Sequence, residues 1–199
     1  MITDVGKHRV RLGSIASLDP DSLLPGGRVS MMFSDPPWGN SYLKMFATYT
    51  EKATGVRPPQ IEFGDMVVRY ADIIESSVED YAFIEMGADG AGAFEEELTP
   101  RVESVTVREM TYGKGRPARM IVVSKSGRSP AMPVELRGGL AMVVGILQGV
   151  SGECDSVLDP CCGAGYTARA AMRFGMTFYG NELNPARLKK TVAYLGSGK

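Results

Sequence analysis

The sequence has few of the residues that build disulfide-stapled folds and metal sites. It contains three cysteines and one histidine in 199 residues. An odd number of cysteines without CxxC spacing argues against a disulfide framework and against a zinc site. The single His8 excludes most histidine-ligated metals and argues against a catalytic triad. We therefore predict no metal and expect the reducing cytoplasm as the compartment.

Long hydrophobic runs and an excess of one charge are also missing. No apolar run reaches the roughly 18 residues that a membrane span needs, and the first ten residues, MITDVGKHRV, carry no signal-peptide core. We expect no membrane partner. The formal net charge of −1 argues against a general nucleic-acid coat protein. The hydrophobic fraction of 44% and the length instead predict one globular domain over residues 1–199.

Strand-like and helix-like segments alternate along the chain. The predicted strands are 8–13, 29–34, 81–86, 155–160 and 176–183, with a hairpin formed by 103–110 and 118–125. Helical spacing marks 66–74, 136–147, 166–174 and a last helix that begins at Pro185 and ends before Gly196. Residues 39–60 are predicted as a long connection, 87–93 as a loop and 94–98 as one helical turn. The pattern predicts an α/β fold with a mostly parallel sheet and an antiparallel hairpin at one edge.

Two of the predicted strands end in unusual polar turns. VSMMFS is followed by Asp35-Pro36-Pro37-Trp38, and VLDP by a Gly163-x-Gly165 turn that opens a helix. In parallel sheets, ligands bind outside the carboxyl ends of strands where the strand order reverses. If the two strands are neighbours there, Asp35 and Asp159 face one crevice.

An acid follows the glycine turn at the distance expected of a nucleotide site. Glu182 ends the next apolar strand about 20 residues on, where an acid can accept hydrogen bonds from ribose hydroxyls. A phosphate cradle fits less well, because the Walker lysine and the full GxGxxG are both absent. A tight strand–helix turn without a ligand is the alternative. Asp-Pro-Pro can likewise be a plain turn, and Trp38 a half-buried core residue.

Together these segments resemble the motifs of one enzyme class. Asp35-Pro36-Pro37-Trp38 is similar to the D/N/S-P-P-Y/F/W catalytic tetrapeptide of S-adenosylmethionine-dependent amino-methyltransferases of the N6-adenine/N4-cytosine DNA methyltransferase class. VLDPCCGAGYT resembles their D-P-F-x-G-x-G-T cofactor loop, and YGNELNPAR resembles their acidic ribose-binding motif. The catalytic motif comes first, as in the permuted β group and the related messenger-RNA adenosine methyltransferases. The resemblance implies a Rossmann-like sheet in which strand 8–13 lies beside the strand of Glu182.

The resemblance implies S-adenosylmethionine as cofactor and the N6 amine of adenine in DNA as acceptor. The Asp35 carboxylate and the Pro36 carbonyl would accept the amine hydrogens, which frees a lone pair otherwise delocalised into the ring. Pro36 and Pro37 would stiffen the turn, and Trp38 would stack on the base. The residues implied to hold the cofactor are Asp35, Asp159, Pro160, Cys161, Cys162, Gly163, Gly165, Glu182 and Leu183. Packing is the alternative role for both cysteines.

Other readings of the same motifs remain open. RNA or a protein glutamine could be the acceptor, although glutamine-modifying relatives usually have Asn-Pro-Pro-Tyr after the cofactor motif. The chain could also be a catalytically silent, cofactor-binding partner subunit, against which the intact Asp35 speaks. Only about GRSPAM (127–132) stands where β-group enzymes carry a target-recognition region. We therefore expect no separate recognition domain.

Nucleic-acid contact is then expected from loops, from a protein partner or from a second copy in a homodimer. Residues 101–137 hold eight arginines and lysines against three glutamates. The predicted contacts are Lys114, Arg116 and Arg119 at the hairpin tip, supported by Arg128 and Arg137, with residues 39–60 closing over the base. A solvated charged face is the alternative.

Overall fold

The computed structural model describes residues 1–197, within which eight strands form one sheet. The strands are β1 (Ile2–Val5), β2 (His8–Leu12), β3 (Val29–Ser34), β4 (Val78–Gly87), β5 (Ser104–Tyr112), β6 (Arg116–Ser124), β7 (Ser156–Asp159) and β8 (Thr177–Glu182). Their order is β1-β2-β8-β7-β3-β4-β6-β5. The five central strands, which are β2, β8, β7, β3 and β4, run parallel. The mostly parallel sheet and the β5–β6 edge hairpin are confirmed. Antiparallel β1 at the opposite edge was not predicted.

Helices cover both faces of the sheet. They are α1 (Pro20–Leu23), α2 (Asn40–Thr54), α3 (Phe63–Ser77), α4 (Ala91–Leu98), α5 (Leu140–Val150), α6 (Tyr166–Arg173) and α7 (Pro185–Ser197). Residues of α5, α6 and α7 share one core cluster with Met31 and Phe33, whereas residues of α1, α3 and α4 share the other with Met32. Strand β3 is therefore buried on both faces, which explains its unbroken apolar run.

The connection predicted over 39–60 is wrong for most of its length, because α2 occupies Asn40–Thr54. Only Ala47 and Thr50 of this helix are buried. Because so little of the helix faces the core, its sequence has no continuous apolar stripe from which a helix could be predicted. Gly55 ends it in the left-handed conformation, at a φ of 74°.

Three other predicted boundaries are also wrong. Helix α4 has eight residues rather than one turn, and it begins inside the predicted loop 87–93. Helix α5 begins at Leu140 and not at Leu136, because the Leu136 carbonyl accepts a hydrogen bond from the Thr111 N–H of β5. Helix α7 continues through Gly196 to Ser197.

The sheet has its point of reversal between β3 and β7. From β3 the chain proceeds to β4 on one side, and from β7 it proceeds to β8 on the other. The loops after the two strands therefore diverge and leave a crevice at their carboxyl ends. Strand β2 pairs with β8 in parallel, with Leu12 opposite Glu182, as predicted. None of the helices in the described part of the chain is long and apolar enough to cross a membrane.

Candidate active site

The Asp35–Trp38 turn follows β3 directly at this reversal point. The Trp38 indole N–H donates a hydrogen bond to Asp35 Oδ1 at 3.0 Å. The indole packs against Gly87 at the end of β4, where a Cβ would lie 2.9 Å from the ring. Tyr112 meets it edge-on, with the ring centroids 5.0 Å apart. Neighbouring strand ends thus hold Trp38 in place.

Asp35 is exposed to solvent at the crevice, yet protein atoms surround its carboxyl group. This desolvation raises the pKa of Asp35 to about 6, and the hydrogen bond from Trp38 and the charge of Arg187 both oppose the rise. The carboxyl group is therefore mostly ionised at pH 7 and can accept hydrogen bonds.

Asp159 ends β7 but points into the protein. Its carboxylate accepts hydrogen bonds from Thr167 Oγ1 at 2.6 Å, the Cys161 backbone N–H at 3.1 Å and Ser34 Oγ at 3.2 Å. Burial raises the pKa of Asp159 to about 7 against these three bonds. The prediction that Asp159 lines the crevice is wrong. Its side chain is buried, and its hydrogen bonds connect the end of β7 to β3 and α6.

Glu182 holds the glycine turn through its carboxylate. Oε2 accepts from the Gly163 backbone N–H at 2.8 Å, and Oε1 accepts from the Asn184 N–H at 2.7 Å. Burial raises the pKa of Glu182, and these backbone bonds and Arg187 oppose the rise. Gly163 and Gly165 have φ values of 54° and 89°, which other residues rarely adopt. Each Glu182 oxygen keeps a second acceptor position for a ligand.

The crevice contains about 700 Å³ of space, part of it open to solvent. Among the predicted site residues, those that line it are Asp35, Pro37, Pro160, Cys161, Glu182 and Leu183. Helix α2 supplies an apolar wall of Leu43, Phe46 and Ala47, which the sequence analysis missed. A partly apolar crevice lined by two carboxylates has the composition of a small-molecule site.

The remaining residues of the glycine loop build the crevice without lining it. Cys162, Gly163 and Gly165 are absent from its walls. Burial raises the pKa of the Cys161 and Cys162 thiols, so both stay protonated. Protonated thiols are poor nucleophiles. The packing role weighed for these cysteines agrees with their environment.

One further residue lines the crevice, and another lies beside Asp35. Arg187 on α7 lines the crevice, with its guanidinium carbon 4.8 Å from the Phe46 ring centroid. It lies within the YGNELNPAR segment, so the motif itself could have indicated it. Glu85 on β4 is 2% exposed, and burial followed by the charge of Asp35 raises its pKa to about 8. A lone acid in the apolar run YAFIEM was the available signal.

The predicted basic tip of the β5–β6 hairpin is only partly free. Lys114 is exposed, whereas Arg119 lies 3.4 Å from Glu109. Arg116 covers Trp38, with its guanidinium carbon 5.2 Å from the ring centroid, and donates to Tyr42 Oη at 2.7 Å.

The two supporting arginines lie in different places. Arg137 pairs with Thr111 in an isolated bridge near the tip. Arg128 pairs with Asp80 and Glu153 at the opposite end of β4, so its predicted support of the tip is wrong. Competition from these carboxylates fixes Arg128 there.

No protein-family model matches the sequence, and a search of curated proteins also finds no match. Solved structures do match. M1.HpyAVI in complex with SAM has a TM-score of 0.63 at 16% identity, over 94% of this chain and 99% of that one. TTHA0409 from Thermus thermophilus gives 0.63 at 17%, over 96% and 95%. The cytosine-N4-specific PvuII DNA methyltransferase gives 0.62 at 11%, over 94% and 85%. These likenesses confirm the predicted Rossmann-like methyltransferase fold.

Proposed function

We propose that this chain uses S-adenosylmethionine to methylate the exocyclic amine of a base in DNA, with the N6 amine of adenine as the first candidate. The observation that carries the proposal is the meeting of Asp35 and Glu182 in one crevice at the reversal point of the sheet. One acid belongs to the amine-binding turn and the other to the glycine turn. The solved structures that share the fold include a SAM complex and a DNA methyltransferase.

The residues of the crevice fit the cofactor. Glu182 retains acceptor positions for ribose hydroxyls, and Leu43, Phe46 and Leu183 offer apolar surface for an adenine ring. Arg187 offers a cation for a carboxylate. The cofactor supplies an electrophilic sulfonium methyl group, and no metal is needed for that chemistry.

The protein's own contribution is alignment of the acceptor amine. The Asp35 carboxylate accepts one amine hydrogen, and the Pro36 carbonyl, aimed by the rigid turn, accepts the other. Because both hydrogens are held, the nitrogen lone pair turns away from the ring and toward the methyl group. The Trp38 N–H already occupies Asp35 Oδ1. It therefore steadies the carboxylate and leaves Oδ2 for the amine.

Substrate grip is proposed to come from the hairpin tip. Lys114 and Arg116 are exposed there, and Arg119 lies nearby. A base that stacks on Trp38 must first displace Arg116 from the indole face. Phosphate contacts give affinity without sequence preference. We propose one domain over residues 1–199, acting in the cytoplasm, with target choice supplied by a protein partner or a second copy.

The N4 amine of cytosine is the second candidate acceptor. The PvuII enzyme, which is cytosine-N4-specific, shares the fold over 94% of this chain. Both amines are attached to an aromatic ring beside a ring nitrogen, so the Asp35–Trp38 turn suits either one. An RNA adenosine acceptor and a silent cofactor-binding subunit are the outcomes against which the test is designed.

The test combines cofactor binding with methyl transfer. Calorimetric titration with S-adenosylmethionine should show one site. Incubation with single-stranded DNA, duplex DNA and RNA, followed by nucleoside mass spectrometry, should show N6-methyladenine in DNA. N4-methylcytosine would favour the second candidate. Methylation of RNA alone would show that the substrate is RNA and not DNA. Binding without transfer to any acceptor indicates the silent subunit, and absence of binding contradicts the proposal.

A further inference from the structure

Glu85 stands beside Asp35 on the neighbouring strand. Phe33 of β3 pairs directly with Phe83 of β4, and both belong to the core cluster on the α5 side of the sheet. Side chains alternate along a strand, so residues two positions on return to the same face. Asp35 and Glu85 therefore continue these two columns side by side at the strand ends.

The Glu85 carboxyl group is buried without a partner. Its residue is 2% exposed, and Oε1 has no hydrogen-bond partner among residues 1–197. An unpaired buried acceptor costs stability, so native structures rarely keep one without a use. Here the chain even makes room for it: a Cβ at Gly138 would lie 2.5 Å from Oε1 and 2.5 Å from the Tyr112 ring.

The groups packed around Glu85 favour its neutral form. Asp35 lies beside it just after β3, apolar Met120 pairs with it on β6, and Tyr112 of β5 is near enough to interact with its charge. No ion pair to Glu85 occurs within the described chain. Burial and the nearby Asp35 raise the pKa of Glu85 to about 8. At pH 7 the carboxyl group is mostly protonated, with one O–H donor.

A donor beside an acceptor complements one edge of a base. Adenine and cytosine each carry an amine next to a ring nitrogen that accepts a hydrogen bond. On its Watson–Crick edge, guanine instead carries its amine next to a ring N–H, which donates. A site with an acceptor carboxylate at Asp35 and a donor carboxyl at Glu85 matches the first arrangement and opposes the second.

We propose that Glu85 reads the target base, its carboxyl group donating a hydrogen bond to the ring nitrogen beside the amine that Asp35 holds. The inference rests on the proposed function and adds a specificity-determining residue to it. Trp38 and Tyr112 flank this pair of acids, so the base that Glu85 reads is the one that stacks on Trp38. A site built to hydrogen-bond one group rejects an analogue that lacks it.

The experiment removes the ring nitrogen and the carboxyl group separately. Oligonucleotides carry adenine, 1-deazaadenine or 7-deazaadenine at the methylated position, and 3-deazacytosine replaces 1-deazaadenine if cytosine is the acceptor. For the wild type we expect kcat/KM to fall about ten- to a hundredfold with 1-deazaadenine and to change little with 7-deazaadenine. The variant Glu85→Met should treat adenine and 1-deazaadenine alike. Glu85→Gln, whose amide still donates, should keep the discrimination.

A pH profile guards against a variant that folds poorly. With adenine, wild-type kcat/KM should fall above pH 8 as Glu85 ionises and loses its donor, whereas the Glu85→Gln profile should stay flat there. Equal discrimination by wild type and a folded Glu85→Met, or identical alkaline limbs for wild type and Glu85→Gln, overturns the role of Glu85 while methylation itself stands. No transfer by the wild type to any natural acceptor overturns the proposed function and this inference together.

Discussion

Trp38 and Asp35 are joined by a hydrogen bond of 3.0 Å from indole nitrogen to carboxylate oxygen, across a turn that contains two prolines. The bond fixes the position of the carboxylate before any substrate arrives. A preorganised acceptor of this kind avoids reorganisation during the reaction.

Replacing Asp35 with alanine should abolish methyl transfer and leave S-adenosylmethionine binding largely intact, because its carboxylate is proposed to hold the amine and the other proposed cofactor residues, Glu182 among them, remain. Loss of one oriented acceptor should cost about 3 kcal/mol, or a hundredfold in rate or more. Single-turnover transfer and calorimetry measure the two effects. Glu96→Ala, an exposed carboxylate on α4, is the control. Normal turnover by Asp35→Ala would show that the amine is held elsewhere.

Transfer should decline on the acid side as pH falls through about 6. Desolvation of its carboxyl group raises the pKa of Asp35 to about 6, and only the ionised form accepts an amine hydrogen. The logarithm of kcat/KM should therefore fall with unit slope below that pH. A rate profile from pH 5 to 8 with a saturating cofactor concentration tests this. A flat acid limb would exclude Asp35 ionisation from the rate.

Glu85 should make folding stability depend on pH. A carboxyl group whose pKa is raised in the folded state, here to about 8, favours folding below its unfolded pKa. That contribution is lost progressively as pH rises from about 4.5 to 8. The uncharged Glu85→Gln variant lacks this loss. The free energy of unfolding of the variant should therefore rise relative to that of the wild type over the same pH interval. Urea unfolding at several pH values measures it, and parallel curves would contradict the prediction.

Glu182→Ala should weaken S-adenosylmethionine binding by about 1–3 kcal/mol, because a charged acceptor is lost. The variant also frees the Gly163 and Asn184 N–H groups, which loosens the glycine turn. Calorimetry gives the affinity. Thermal unfolding without the cofactor separates the loss of turn stability from the loss of ligand contact. An unchanged Kd would remove Glu182 from the cofactor site.

Substitution of Lys114, Arg116 and Arg119 by alanine should flatten the salt dependence of DNA binding. Each lost phosphate contact should lower the log–log slope by about one. Arg128→Ala is the matched control, because Arg128 lies at the opposite end of β4 and is already paired with two carboxylates. An unchanged slope in the triple variant would show that the tip is a solvated face. Tight, sequence-selective binding by the single chain would contradict the absence of a recognition domain.

The crevice could be predicted because each of its two acids follows an apolar run. Asp35 and Glu182 both end buried strands, and parallel strands end at one edge of a sheet. The inward position of Asp159 could not be predicted, because it depends on hydrogen bonds from Ser34 and Thr167, which lie on other elements.

The α2 wall of the crevice and the position of Glu85 could not be predicted from the sequence for a different reason. Helix α2 buries only two residues, so its apolar side chains show no helical stripe before the crevice is formed. Glu85 lies beside Asp35 only because β3 pairs with β4, although fifty positions separate the two residues in the chain. Local patterns carry no information on such pairings.

Arg116 joins helix α2 to the hairpin through Tyr42 and covers the indole of Trp38 at the same time. A phosphate that draws this guanidinium away uncovers an aromatic surface, so backbone capture and base entry become thermodynamically linked events. The lost cation–π contact is worth about 0.5–1 kcal/mol at an exposed site, a small penalty on association. In the absence of nucleic acid, the same contact shields a flat apolar ring from water and from self-association.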